Sequence, residues 1–255
     1  MFRLDFLGAP GVGKSLLSKR AQRCDAGALG PDCAAVRSIM DGGVKIKERG
    51  LRNEVLLRVP FLRQRFLGRE IASLEKKAFP GYVKKHEGFF DFVHGCSWLK
   101  SNTFLFSYGY QHFSSVVRRI AFLEERGCHT PVLFDESLCQ KSFAVIPWDS
   151  ANEEHIRSYF EMVPLPDAMI HVDADGCQVV RQIYERKRTT GRVLNVHAGL
   201  CESQLLNLTQ VCLQFARVGA FCIRERGCPV LSLAASDSPE YNRSQIVEFQ
   251  KGLFC

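Results

Sequence analysis

Residues 8–15 of this 255-residue chain read Gly-Ala-Pro-Gly-Val-Gly-Lys-Ser and satisfy the pattern G-x4-G-K-[ST] at every fixed position. The flanks set its context. Phe2 to Leu7 is an apolar run that reads as a buried strand, and Ser15 to Arg23 has the amphipathic spacing of a helix start. A strand, a glycine-rich turn and a helix in that order gather backbone N–H groups at a helix N-terminus, where unsatisfied donors and the positive end of the dipole favour an anion. Gly8, Ala9, Pro10, Gly11, Val12, Gly13, Lys14 and Ser15 are therefore the candidate phosphate-cradling residues. Lys14 is expected to be a surface loop cation reaching the β- and γ-phosphates of a nucleotide, and the Ser15 hydroxyl a ligand of Mg²⁺.

The chain is long enough to bury one full core, and its 46% apolar and 24% charged residues are ordinary for a globular domain. A net charge of +7 suits a partner carrying phosphate or sulfate. The basic residues are dispersed rather than massed, which argues against nucleic acid as the partner. Eleven cysteines form no C-x2-C pair, and His197 and Cys201 stand one helical turn apart without a second pair of zinc spacing. They read as small buried apolar groups in a reduced, cytoplasmic protein with no secretory segment after Met1 and no run long enough to span a membrane.

Four segments read as parallel strands buried on both faces: Arg3 to Leu7, Pro131 to Phe134, Ala168 to Val172 and Pro229 to Leu233. Glu125-Arg-Gly-Cys128 and Glu225-Arg-Gly-Cys228 each lead into a strand through a glycine suited to a left-handed helix cap. Between the first two strands lies the long stretch Cys24 to Gly127. Helical spacing covers Arg52 to Leu67 (interrupted at Pro60), Gly81 to Leu99 and Ser114 to Arg126, and Ala34 to Met40 is the candidate for a further strand. Arg52, Arg58, Arg63, Arg65 and Arg69 read as a solvated basic face, with a clamp for an anionic acceptor as the sharper alternative.

In an open α/β sheet, ligands lie beyond the carboxyl ends of the strands. Asp135 directly follows Val132-Leu-Phe134, where a carboxylate can hold Mg²⁺ beside the phosphate loop, and Glu136 is next to it. After the third strand, Val179 to Arg188 places Arg181, Arg186 and Arg188 on an arginine-dense helix, with Arg192 beyond Gly191. Guanidinium groups neutralise the charge spread over a migrating phosphoryl group without deprotonating, so residues 178–195 read as a closing lid.

With these residues in place the chain resembles the P-loop kinases of small molecules, the group of thymidylate, adenylate and deoxynucleoside kinases. The resemblance is carried by the loop, by Pro166-Asp-Ala-Met-Ile-His-Val-Asp-Ala-Asp175 followed by the arginine helix, and by Val230 to Glu240. It implies an α/β fold of three layers, the P-loop NTPase fold, with a parallel sheet and a long helical insert. Residues 1–255 would then form one domain, with 44–127 as the acceptor-binding insert. Ala235 and Ser236, in the loop after the last strand, would pack on the donor adenine. Two departures stand out: Asp135-Glu136-Ser137 replaces the Glu-Arg-Ser of deoxynucleoside kinases, and no counterpart of their glutamate-proline motif occurs in residues 24–60.

The expected activity is transfer of the γ-phosphoryl group of ATP, with Mg²⁺, to an anionic or polyhydroxylated small molecule. Lys14, Asp135, Glu136, Arg181, Arg186 and Arg188 would be the catalytic residues, Ser15 and Asp135 the metal ligands. Asp41 and Glu136 are candidates for the base that a hydroxyl acceptor requires. The alternative is an ATPase switch or assembly module, kept open by the acidic pair Asp135-Glu136. Asp173-Ala-Asp-Gly176 fits the D-x-x-G of GTPases, but no N-K-x-D motif accompanies it. A homodimer is compatible with either reading.

Overall fold

Strands that are apolar on both faces must be covered on both faces. The described residues form a single four-stranded parallel sheet in which the strands at 3–7, 132–134 and 168–173 are covered. The edge strand at 230–234, expected to be buried, buries only Leu233 and exposes Ser232 and Ala234. The computed structural model describes residues 1–22, 28–41, 60–95, 103–146, 152–191 and 199–254. β1 (Arg3–Leu7), β2 (Val132–Phe134), β3 (Ala168–Asp173) and β4 (Val230–Ala234) lie in the order β2-β1-β3-β4. Asp5 of β1 is in register with Phe134 and Met169, Leu7 with His171, and Asp173 with Ala234. All four strands therefore point their carboxyl ends at one edge.

The side chains of each strand divide between two cores. Leu7, Val132, Phe134 and Met169 face a layer built from α2 (Pro31–Asp41), α3 (Pro60–Lys85), α4 (Glu87–Gly95), α5 (Thr103–Glu125) and α7 (Glu153–Met162). Leu4, Phe6, Leu133, Ile170, Val172 and Leu233 face α1 (Lys14–Gln22), α8 (Gly176–Thr190) and α10 (Pro239–Phe254). α9 (Glu202–Glu225) contributes to both, its Leu205 and Leu208 to one core and Phe215 and Ile223 to the other. The short α6 (Ser142–Val145) follows β2. α9 has the length and apolarity of a membrane-crossing helix, and 56% of its most apolar window is buried inside the fold.

The expected strand at Ala34 to Met40 is instead helix α2. Pro31 suits a first helical position, Asp32 complements the helix dipole, and Ala34, Ala35 and Ile39 bury one face. Among the described residues the pairing beyond β2 is a single residue: Leu29 bridges in parallel to Val132, its N–H donating to Pro131 O at 2.9 Å and its carbonyl accepting from Leu133 N at 2.8 Å.

α3 is described from Pro60 onward; the stretch from Arg52 expected to lead into it lies outside the described residues. The helix expected from Gly81 to Leu99 is divided at His86, because α3 runs through Pro80 to Lys85. Proline removes one helical hydrogen bond, and burial of Ala78 and Tyr82 against the core holds the helix across it. α5 starts at Thr103, eleven residues before the predicted Ser114. Its aromatic residues lack a clean helical period, yet Tyr110 and Phe113 pack on one another and on His94, Phe89 and Phe90 of α4. Both Glu-Arg-Gly-Cys joints form as predicted. Cys128 N bonds Leu123 O and Cys228 N bonds Ile223 O, each at 3.2 Å, with Gly127 and Gly227 at positive φ.

Candidate functional site

The glycine loop leaves β1 at the carboxyl edge of the sheet and returns as α1. Gly8 sits so close to β3 that a Cβ there would lie 2.6 Å from the carbonyl oxygen of Val172. Gly11 and Gly13 adopt φ of 93° and 95°, a conformation that side chains with a Cβ rarely take. Val12 N donates to Ala9 O at 3.3 Å, closing the turn, and the Gly13 carbonyl accepts from Leu16 and Leu17 at the start of α1. Ser15 is exposed at that helix start.

Lys14 departs from the surface position expected of it. It is 7% exposed, and its Nζ donates to Gly8 O at 2.7 Å and Ala9 O at 2.9 Å, so it braces the loop from beneath. Burial pushes its pKa down to about 8 against the opposing pull of Glu136 and Asp135. A desolvated ammonium with two carbonyl ligands gains most from an arriving anion.

Asp135 follows Phe134, which is registered with Asp5, so it stands one strand away from the loop and level with the end of β1. It is half-buried, and the exposed Glu136 beside it pairs with the ammonium of the buried Lys141. Burial works against the Glu136 carboxylate, but Lys141, Lys14 and His112 together hold its pKa below the usual range. Lys141 belongs to a tight turn in which its N–H donates to Ser137 O and Leu138 O, both at 3.0 Å. The preceding residue, Gln140, is also buried and its Oε1 accepts from Gly8 N at 3.2 Å. One turn thus carries the acidic pair, the second lysine and a tether to the first glycine of the loop.

On the other side of β1, Asp173 ends β3. Arg217 of α9 donates from Nε to its two carboxylate oxygens at 3.0 and 3.1 Å. Asp175 caps α8 through Cys177 N and Gln178 N. Both acids of the D-x-x-G stretch are therefore engaged in holding the β3–α8 corner. Ala235 is tied there too: its N–H bonds Asp173 O at 2.8 Å and its carbonyl accepts from Gln178 Nε2 at 3.2 Å. Ser236 is exposed beside it.

α8 buries Gly176, Val179, Val180 and Ile183, and a Cβ on Gly11 would meet Ile183 at 2.9 Å. The glycine loop and α8 are thus in contact. Arg186 lies three residues beyond Ile183 and continues that stripe. Arg181 and Arg188, seven residues apart, share a different face, where Arg188 pairs with Glu185 at 2.8 Å. All three arginines are exposed. The geometry groups Arg186 with the loop and sets the other two apart from it. Arg192 lies outside the described residues, as do Arg52 and Arg58 and the side chains of Asp41, Arg63 and Arg65; Arg69 is exposed.

The chain matches no family model and no curated protein sequence. Its chemistry is therefore read from these side chains. Among the described residues no three His, Cys, Asp or Glu side chains converge on one point, so a cage for a tightly held metal is not built here. Ser15 at the start of α1 and Asp135 just after β2 are two oxygen donors at the carboxyl edge of the sheet, which fits Mg²⁺, an ion usually held by one or two protein oxygens, water and substrate phosphates. Four residues of this edge have little or no sequence signal. Gln140 and Lys141 stand in a polar turn after β2 that could have drawn notice, whereas Gln178 and Arg217 are brought in by helix packing alone. The cysteines are a mixture: Cys139, Cys212, Cys222 and Cys228 are buried, while Cys33, Cys177 and Cys201 are exposed.

Proposed function

We propose that the chain is an ATP-dependent phosphotransferase of the P-loop small-molecule kinase type. One observation carries the reading: the glycine loop, the buried Lys14 beneath it and the acidic pair Asp135-Glu136 occupy the carboxyl ends of two neighbouring parallel strands. In that arrangement the loop N–H groups at the start of α1 bind the α- and β-phosphates, and Lys14 exchanges its carbonyl partners for phosphate oxygens. Ser15 and Asp135 would hold Mg²⁺, which supplies charge neutralisation across the β- and γ-phosphates. The loop fixes the triphosphate against rotation, so that catalysis is a matter of positioning and electrostatics. Arg186, on the stripe of α8 that packs on the loop, is the arginine best placed to meet charge on the migrating group. The Ala235–Ser236 loop, anchored to Asp173 and Gln178, would form one wall of the base pocket.

Incubating the protein with ATP·Mg²⁺ and panels of nucleosides, nucleotides and sugar phosphates, with ADP release as readout, tests the reading. Acceptor-dependent ADP release is expected. ATP hydrolysis that no acceptor accelerates would point to the ATPase switch, and absence of nucleotide binding would refute both.

A further inference from the structure

Asp5 is an unexpected residue in the strand that leads into the glycine loop. Leu4, Phe6 and Leu7 are wholly buried apolar side chains, and Asp5 among them has no solvent access either. Register places it beside Phe134, the last residue of β2 before Asp135. Two side chains of the turn that follows, Ser137 and Cys139, are presented to the Asp5 carboxyl group, and both are fully buried. The same turn is held from two other sides. Gln140 accepts from Gly8 N at 3.2 Å, and Tyr159 of α7 donates to Leu138 O at 2.8 Å. Asp5 thus meets the turn from the middle of β1, as Gly8 meets it from the loop. Stability does not account for an acid here, because replacing a buried ion pair with packed apolar side chains is often neutral or favourable. Asp5 Oδ1 and Oδ2, Arg3 Nε and Ser137 Oγ are buried without completing a hydrogen bond among the described residues, which adds to the cost. Such departures from local consistency are expected where function is served.

Resting on the phosphotransferase reading, we propose that Asp5 is a positioning residue for the metal edge, its carboxyl group accepting a hydrogen bond from Ser137 Oγ when Asp135 turns to Mg²⁺. Ser137 stands two residues after Asp135 on the same backbone, so a movement that brings its hydroxyl into line with Asp5 also moves Asp135. The hydroxyl and the carboxyl group already face one another in the core, and each has an unused bond to give. Arg3, with Nε 3.4 Å from Asp5 Oδ1, holds the carboxyl group toward β1 while the turn adjusts. The backbone bonds of the turn, Lys141 N to Ser137 O and to Leu138 O, let it adjust as a unit. Asp5 touches neither metal nor nucleotide in this arrangement. It fixes where the Asp135 carboxylate comes to rest, which is the precision that a site built on positioning needs.

The test is calorimetric binding of ADP to the full chain with and without Mg²⁺, read as the ratio of the two affinities. Mg²⁺ should tighten ADP binding to wild type, and Asp135→Asn should remove most of that gain. Ser137→Ala, which deletes the hydroxyl and keeps the backbone bonds of the turn, should cut the ratio by about fivefold with metal-free ADP affinity unchanged. An Asp5→Leu, Arg3→Met double variant, which removes the pair without stranding a charge, should cut it by a similar factor. Adding Ser137→Ala to that double variant should change the ratio no further, because the hydroxyl has already lost its partner. A residue that only supported the core would lower the melting temperature and leave the ratio alone. A wild-type ratio in Ser137→Ala, a full further loss in the combined variant, or a wild type whose ADP affinity ignores Mg²⁺ overturns the proposal and leaves the phosphotransferase reading standing. Ser137→Ala decides the matter even if the double variant fails to fold. Failure of ADP to bind wild type in either condition overturns both.

Discussion

A lysine that is part of the loop's own architecture behaves differently from one that waits in solvent. Lys14 titrates near 8, below its ordinary value, because its charged form is desolvated in the fold. The unfolded chain therefore binds more protons between about pH 8 and 10.5, and the sign of the linkage follows: this residue makes stability rise with pH across that window. An arriving triphosphate does the reverse, holding the proton on Lys14. ATP affinity should fall as pH climbs from 8 to 9, and proton uptake on binding should be measurable by calorimetry in buffers of different ionisation enthalpy. Lys14→Met should bind ATP weakly with a flat pH profile and lose phosphoryl transfer. A wild-type affinity that is flat across this range would show that Lys14 does not meet the phosphates. Asp135→Asn should depress Mg²⁺-dependent turnover far more than metal-free nucleotide binding. An unchanged Mg²⁺ titration would move the metal role elsewhere.

At the level of the element, α8 is a helix with two faces of different meaning. Its apolar stripe packs on the glycine loop through Ile183 and ends in Arg186, whereas Arg181 and Arg188 stand on a face that Glu185 partly neutralises. The transition state of phosphoryl transfer draws on guanidinium charge that the ground state does not need. Arg186→Ala should therefore lower kcat by about tenfold or more with little change in ATP affinity, and Arg188→Ala should lie within a few fold of wild type. Equal effects of the two would mean that α8 rotates or closes in a way its packing does not suggest. If the end of α8 closes over nucleotide, tryptic cleavage between Arg186 and Gly191 should slow in ATP·Mg²⁺.

At the scale of the whole molecule, β1 carries a buried ion pair of its own and is tied through Arg3 to the segment between α7 and β3. Arg3 Nε lies 3.4 Å from Asp5 Oδ1, both side chains essentially without solvent access. Arg3 also donates to Pro164 O at 2.5 Å, and its backbone N–H bonds Asp167 at 2.6 Å. Burial holds the Asp5 carboxyl above its usual range despite Arg3. Breaking such a pair from one side leaves a charge stranded in the core. Asp5→Ala should cost about 3–5 kcal/mol in denaturant unfolding, and an Asp5→Leu, Arg3→Met double variant clearly less than the sum of its singles. Strictly additive losses would show that the two side chains do not act as a pair.

Much of this protein is local in origin and was readable as such. The loop, the four strands, the two glycine-capped joints and the acids after β2 each depend on residues adjacent in sequence, where turn chemistry and apolar runs act directly. The long region between β1 and β2 was not readable in the same way. Helix α2 takes the place of a strand because only contact with the core shows that Ala34, Ala35 and Ile39 share a buried face. Among the described residues the pairing beyond β2 is Leu29 alone, and one residue leaves no pattern to find. The site divides along the same line. Gly8 to Ser15 and Asp135 are fixed by the sequence, because a short connection must place them at a strand's carboxyl end. The burial of Lys14, the pairing of Glu136 with Lys141 and the meeting of Arg217 with Asp173 were decided only by tertiary packing. Those properties depend on which side chains from distant segments exclude water from the same few ångströms.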